Sequence, residues 1–362
     1  MKENKPYCGI DVLPKAKYRK VRITDYKETK ICKIPVISID WTWQEYLWMM
    51  LVRIGFSRNN YMIKPGLYAV GNPNEKSQVL VSANYKFSFD VLRRELKGID
   101  AWILVIDTKG INVWCSAGAG SFGTENLVMS IHETNLHEII SHRQIILPQL
   151  SATGVAAHLV LRDSDFRVIY GPVRAIDIPQ FINNGFKADK EMRLVRFDLK
   201  DRLAVSWLEF VSASKKVISI SLITVFMFSI KKNSIDLYSG IIASSIFIIS
   251  LWISVLSGTF LTAILLPYIP VRAFAVKGII IGLASSFITV IILKPVSMLS
   301  IVSIVLFITG LTSYLALNYT GCSTFTSLSG VQKETKIYVP VIMGLIIVSG
   351  IIQFVRMILY GI

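Results

Sequence analysis

Acidic residues are nearly missing from the second part of this chain. From Lys215 to Ile362 only Asp236 and Glu334 are acidic, against ten basic residues, whereas the first 214 residues hold 29 basic and 22 acidic ones. Charge is scarce overall: 17% of the 362 residues are charged and 52% hydrophobic, with a mean hydropathy of +0.53. A soluble globular domain carries about a quarter charged residues, so one ordinary soluble domain is excluded and two domains of different class are expected. Paired cysteines are missing too. Cys8, Cys32, Cys115 and Cys322 stand alone with no CxxC spacing, which argues against an intrinsic iron–sulfur cluster or a structural zinc site. The N-terminus is polar and lacks the apolar segment of a signal peptide, so the soluble part is expected in the cytoplasm. No GxxxxGK[ST] or GxGxxG phosphate loop is present.

The net charge of +15 would suggest nucleic acid only if it formed a face. Much of it instead flanks apolar segments, at Lys215, Lys216, Lys231, Lys232, Arg272, Lys277 and Lys294, as topology charges do. The run Lys15, Lys17, Arg19, Lys20 and Arg22 reads as a solvated or headgroup-facing surface, and no nucleic-acid partner is expected.

About 20 apolar residues in a helix cross the hydrocarbon. Five spans are predicted, at 217–230, 237–268, 278–293, 296–317 and 338–360, with the amphipathic Trp207–Ser214 ahead of the first. Lys215, Lys216, Arg272, Lys277, Lys333 and Lys336 then fall on one side and Lys231, Lys232 and Lys294 on the other. That bias favours a multi-pass protein of the cell (inner) membrane with its N-terminal domain in the cytoplasm. The polar stretch Gly321–Lys336, with Cys322, Ser323, Thr324, Thr326, Ser327 and Ser329, reads as a connector or as a docking surface for the soluble domain.

The boundaries expected are a basic N-terminal segment over 1–35, an α/β domain over 36–206 and a transmembrane domain over 207–362. Within the α/β domain, buried strands are predicted at Val79–Ala83, Ala101–Asp107, Gln144–Leu147 and Phe166–Tyr170, and an edge strand at Leu194–Phe197. Helices are predicted at Phe87–Leu96, up to about His142, and at Asp177–Asn184. Apolar strands alternating with helices imply a mainly parallel, doubly wound sheet, whose ligands bind beyond the carboxyl ends of its strands. Asn112–Gly120, Pro148–Gly154 and Gly171–Arg174 leave strands with glycine, proline and polar residues, and they mark the ligand site.

The informative stretch is Asn112–Thr124, NVWCSAGAGSFGT. Cys115 stands where a strand turns into a helix, a setting that favours a thiolate. Gly118, Gly120 and Gly123 let backbone approach a bulky ligand. A small buried hydrophobe is the plain alternative for Cys115. His132, His137, His142 and His158 have no D-x-H-x-x-G context and read as surface or core residues.

NVWCSAGAGSFGT resembles the cap-helix motif of the mercury-methylation corrinoid protein, the membrane component of a two-protein system. The resemblance extends to Pro65–Gly71 (PGLYAVG), Val79–Lys86 (VLVSANYK), Gly98–Thr108 (GIDAWILVIDT), Ser141–Leu150 (SHRQIILPQL), Gly154–His158 (GVAAH) and Val168–Ala175 (VIYGPVRA). In the apolar half it includes Pro267–Gly278 (PYIPVRAFAVKG) and Thr324–Glu334 (TFTSLSGVQKE). The soluble part is also similar to the corrinoid-binding domain of the corrinoid iron–sulfur protein of the acetyl-CoA pathway. The chain departs from the motif at Ser116, usually alanine, and at Ala119, usually lysine.

The resemblance implies a Rossmann-like corrinoid-binding domain followed by an all-α bundle of about five transmembrane helices. It implies a cobalamin-type corrinoid held base-off, with the Cys115 thiolate as lower axial ligand of cobalt. Asn84, Asn112, Val113, Trp114, Cys115, Ser116, Ala117, Gly118, Gly120, Gly123, Thr124, Pro148, Gln149, Gly154, Gly171, Pro172 and Arg174 would surround it. The implied partners are a small ferredoxin with two [4Fe–4S] clusters as electron donor and a methyl-tetrahydrofolate pathway enzyme as methyl donor, and Hg(II) is the implied acceptor. The activity expected is therefore corrinoid-dependent methyl transfer to Hg(II). The alternatives are a membrane-anchored methyl carrier of acetyl-CoA-pathway-like one-carbon metabolism, or a non-enzymatic corrinoid sensor.

Overall fold

The computed structural model describes residues 18–231, 234–295, 297–322 and 328–360. Cys8, Lys15, Lys17, Lys232, Val296 and residues 323–327 of the polar connector lie outside the described residues. The chain divides into two compact units, Met1–Val195 and Arg196–Ile362.

The first unit is a mixed seven-stranded sheet with helices. Its strands are β1 (Ile23–Glu28), β2 (Lys33–Ile37), β3 (Gly66–Val70), β4 (Val79–Ala83), β5 (Ala101–Ile106), β6 (Gln144–Leu147) and β7 (Arg167–Tyr170), in spatial order β1-β2-β3-β5-β4-β6-β7. β5, β4, β6 and β7 run parallel to one another, and β2 runs parallel to β3. β3 is antiparallel to β5, and β1 to β2. The apolar strand runs are continuous because both faces are covered. Val79, Val81, Trp102, Leu104 and Ile106 enter one core, and Leu80, Ala101, Ile103 and Val105 enter the other; a strand buried on both sides has no polar face to alternate with.

The helices of this unit are α1 (Trp43–Arg53), α2 (Lys86–Glu95), α3 (Val113–Gly118), α4 (Thr124–Glu133), α5 (Leu136–Ile139), α6 (Ala157–Ser164) and α7 (Ile178–Asn183). Thr42 and Glu45 form a reciprocal capping box at the start of α1, which satisfies two otherwise orphaned amides. Three sequence expectations change. Residues 194–197 form no edge strand: Leu194 is 62% exposed, and without a face to bury the segment follows a short 3-10 turn, Glu191–Arg193. The helical region ending near His142 divides into α4 and α5, separated by Asn135 in the left-handed conformation. The stretch around residues 23–37, read only as basic, forms the β1–β2 hairpin.

The second unit is helical: α8 (Leu199–Ser229), α9 (Leu237–Leu256), α10 (Thr262–Leu265), α11 (Phe274–Leu293), α12 (Met298–Leu317) and α13 (Leu328–Tyr360). Among the described residues, five helices are long and apolar enough to cross a membrane: Leu199–Ser229, Leu237–Leu265, Phe274–Leu293, Met298–Thr320 and Ser329–Leu359. The amphipathic Trp207–Ser214 belongs to the first of these rather than preceding it. A π-helical turn, Ser257–Leu261, joins α9 to α10. The connector Gly321–Lys336 is helical from Leu328 onward, and buried Glu334 accepts the amide of Ala275 at 2.7 Å, capping α11. Gly278 and Gly282, one helical turn apart, press α11 against α12: a Cβ on either would lie 2.5 Å from Cα of Ser313 and 2.7 Å from Cα of Thr309, respectively. Close backbone approach through small residues is how helices associate in lipid.

Candidate functional site

The four parallel strands β5, β4, β6 and β7 end at one edge of the sheet, so the segments after them meet there. Asn84 follows β4, Asp107–Gly120 follows β5, Pro148–Gly154 follows β6 and Gly171–Arg174 follows β7. Geometry brings together the three segments that the sequence marked.

Asn84 is fully buried, and every bond its side chain makes is to the loop after β5. Its Oδ1 accepts the amides of Thr108 (3.1 Å) and Gly110 (2.9 Å) and the Thr108 hydroxyl (2.9 Å), and its Nδ2 donates to Asp107 (2.8 Å). The Thr108 hydroxyl in turn donates to the Ile111 carbonyl at 2.7 Å. This loop delivers Asn112 as the N-cap of α3, where its Oδ1 accepts the Cys115 amide at 2.9 Å. Asparagine at this position satisfies one of the first-turn amides. α3 therefore begins two residues before Cys115, and the cysteine occupies its first turn rather than the strand end.

α3 has two sides. Val113, Ser116 and Ala117 are buried, with the Ser116 hydroxyl donating to the Asn112 carbonyl at 2.5 Å. Trp114 is half-buried. Cys115, Gly118, Ala119 and Gly120 are exposed, and Cys115 is a free thiol. A Cβ on Gly118 or Gly120 would meet open space, and Gly120 holds φ +85°, a backbone state that favours glycine. The outward row is thus one thiol followed by nearly bare backbone.

The segment after β6 supports α3 from beneath. A Cβ on Gly154 would lie 2.5 Å from the Phe122 carbonyl oxygen and 2.7 Å from that of Ala117, so only glycine lets the two backbones touch. Thr124 accepts the Ala156 amide at 2.9 Å, and a Cβ on Gly123 would lie 2.7 Å from the Gly120 carbonyl. Pro148 opens the 3-10 turn Gln149–Thr153. The Gln149 amide donates to the Pro172 carbonyl at 3.4 Å, its side-chain oxygen accepts Arg193 at 2.9 Å, and Gly171 donates to Leu147 at 2.8 Å. Arg174 is exposed at the start of the next turn.

Tyr85 was missed by the sequence reading, although it lies inside VLVSANYK. Burial raises its hydroxyl above the ordinary range; Arg58 and Arg53 oppose the rise, and Cys115 adds to it. Arg58 lies 5.8 Å over the Tyr85 ring and Arg53 lies 5.2 Å over Phe87. His132 and His142 meet the carbonyls of Asp163 (3.1 Å) and Ser77 (2.9 Å).

Residues 57–161 match the family of the CO dehydrogenase/acetyl-CoA synthase delta subunit. That segment includes β3 to β6, α3 and Cys115. The acetyl-CoA decarbonylase/synthase complex subunit gamma of Methanocaldococcus jannaschii is 37% identical over 98 residues, 26% of this chain and 20% of the relative. The subunit gamma of Methanopyrus kandleri is 32% identical over 122 residues, 33% of this chain and 26% of the relative. That of Archaeoglobus fulgidus is 28% identical over 118 residues, 32% and 25% of the two. The chain thus spans about a quarter or less of the length of these relatives. The similarity is to acetyl-CoA decarbonylase/synthase subunits, and it overturns the expected kinship with the mercury-methylation protein. The assignment as an Hg(II) methyltransferase, and Hg(II) as acceptor, fall with it.

Proposed function

We propose that the first unit is a Rossmann-like corrinoid-binding domain and that the chain is a membrane-anchored methyl carrier of acetyl-CoA-pathway type. The observation that supports this most strongly is the outward row of α3: one free, exposed thiol beside Gly118 and Gly120, where a flat macrocycle meets no side chain. The residues present fit the group. Cys115 is the candidate cobalt ligand, held by the Asn112 cap, and Gly118, Gly120, Pro148–Gly154 and Gly171–Pro172 are the backbone against which the ring would rest. A base-off corrinoid supplies a cobalt that can carry a methyl group.

The chain's own residues do the rest. Asn84 and Thr108 fix the loop that aims α3. Gly154 fixes its underside. Asn112 orients the first turn and so the direction in which the Cys115 thiol is presented. An external ferredoxin-class donor would supply electrons and a methyl-tetrahydrofolate enzyme the methyl group. The basic bias of the inter-helix segments supports a cytoplasmic position for the first unit.

The test uses the full chain in detergent, loaded anaerobically with hydroxocobalamin and reduced with a low-potential donor. Supplied with labelled methyl-tetrahydrofolate and its methyltransferase, it should acquire the labelled methyl group and release it to an acetyl-CoA synthase. A loaded chain that takes up no label contradicts the carrier role.

A further inference from the structure

α1 carries an apolar face that nothing among the described residues of the first unit covers. Trp43 (72% exposed), Tyr46 (48%), Leu47 (50%), Met50 (59%) and Ile54 (41%) follow the helical repeat along one side, and Phe56 (56%) continues the row. The opposite side holds Val52, Trp48 and Glu45. Glu45 is turned inward, bonded to Arg93 (2.6 Å) and Lys86 (3.2 Å), so the acid within α1 is withdrawn from the outer face. The charges flanking that face are mostly positive. Arg53, in the last turn of α1, is exposed and Arg58 half-buried; Asp40, just ahead of the helix, is an exposed acid. Arg19 stacks 4.0 Å over the Trp48 ring.

We propose that this face of α1 lies in the headgroup layer of a bilayer, as an interfacial helix. A soluble monomer rarely leaves so large a contiguous apolar stripe bare. Tryptophan and tyrosine on the apolar side with arginine and lysine at the border are what an anionic lipid surface selects. The inference rests on the reading that the second unit crosses a membrane. The same chain carries five helices able to do so, so a bilayer is present at high effective concentration without any separate recruitment. Lipid contact through α1 would tie down the helix whose Glu45 holds α2, and through α2 the Asn84–Tyr85 segment beside Cys115.

The experiment uses the full chain in the membranes of the cells that express it, with p-benzoylphenylalanine in place of Met50 or, separately, of Leu47. Irradiation followed by mass spectrometry identifies what the probe captures. Lipid adducts at both positions, several-fold above the yield with the probe at Leu161, an equally exposed site on α6, support the proposal. Adducts to another protein, to a second copy or to another segment of this chain overturn it, as does a lipid yield no higher than at Leu161. The readout needs no corrinoid, so it can fail or succeed independently of the carrier function.

Discussion

Asn84 and Gly154 shape the loops that carry α3. Asn84 spends its side chain on Asp107, Thr108 and Gly110. Asn84→Leu strands the amides of Thr108 and Gly110 in a buried loop, and each unsatisfied group costs about 1–3 kcal/mol. Denaturant unfolding of the chain should show a loss on the order of 2–5 kcal/mol together with weaker corrinoid retention. Gly154→Ala places a Cβ against two carbonyl oxygens and should cost about 1–3 kcal/mol while displacing α3. Corrinoid affinity should fall further than stability alone accounts for, and titration of the loaded variant checks this. Cys115 and its glycine neighbours were legible in the sequence because a lone thiol with bare backbone after it is unusual. The supporting roles of Asn84 and Gly154 were not. Buried saturation of an asparagine and a carbonyl contact at a glycine depend on chain segments far apart in sequence.

The elements that aim the site rest on a buried ion quartet between α1 and α2. Lys86 meets Asp90 at 2.7 Å and Glu45 at 3.2 Å, and Arg93 meets Glu45 at 2.6 Å and Asp90 at 2.8 Å. Arg93 also donates to the carbonyl of Ser38 and, at 3.3 Å, to that of Asp40. Burial pushes the Glu45 carboxyl up, but the Thr42 amide, Lys86 and Arg93 outweigh it, and the group titrates below the ordinary 4.5. A lowered folded value means that this stabilisation is complete above pH 4.5 and is lost as pH falls through the lower folded value. Acid unfolding of the wild-type chain should therefore steepen below that pH, and Glu45→Gln should lower stability at pH 7 while flattening the acid limb. Circular dichroism across pH 3–7 reads both. α1 was invisible to the strand-and-helix reading because its apolar residues face outward as well as inward. β3 was likewise read only as a motif, since a strand parallel to one neighbour, β2, and antiparallel to the other, β5, has no signature in local pattern.

At the scale of the molecule, the division into a charged sheet unit and an apolar helical unit was plain from composition alone. The number of helices able to span a membrane, five among the described residues, followed from length. Their limits did not, since α8 and α13 continue as helix well beyond their apolar cores, and hydropathy marks only the core. In the helical unit Gly282→Leu cannot be accommodated against Thr309. It should separate α11 from α12 and lower the thermal midpoint in detergent by several degrees, with the sheet unit's far-ultraviolet signal retained to higher temperature. The mercury assignment failed for a different reason: the motif reports how a corrinoid would be held and carries no information on what receives the methyl group. The most direct test of the account is the visible spectrum of the full chain loaded anaerobically with a corrinoid, compared with Cys115→Ala loaded identically. The account predicts a cobalt spectrum in the wild type that differs from free base-off corrinoid and reverts toward it in the variant. Superimposable spectra, with equal corrinoid bound, would contradict the claim that the Cys115 thiolate holds the metal.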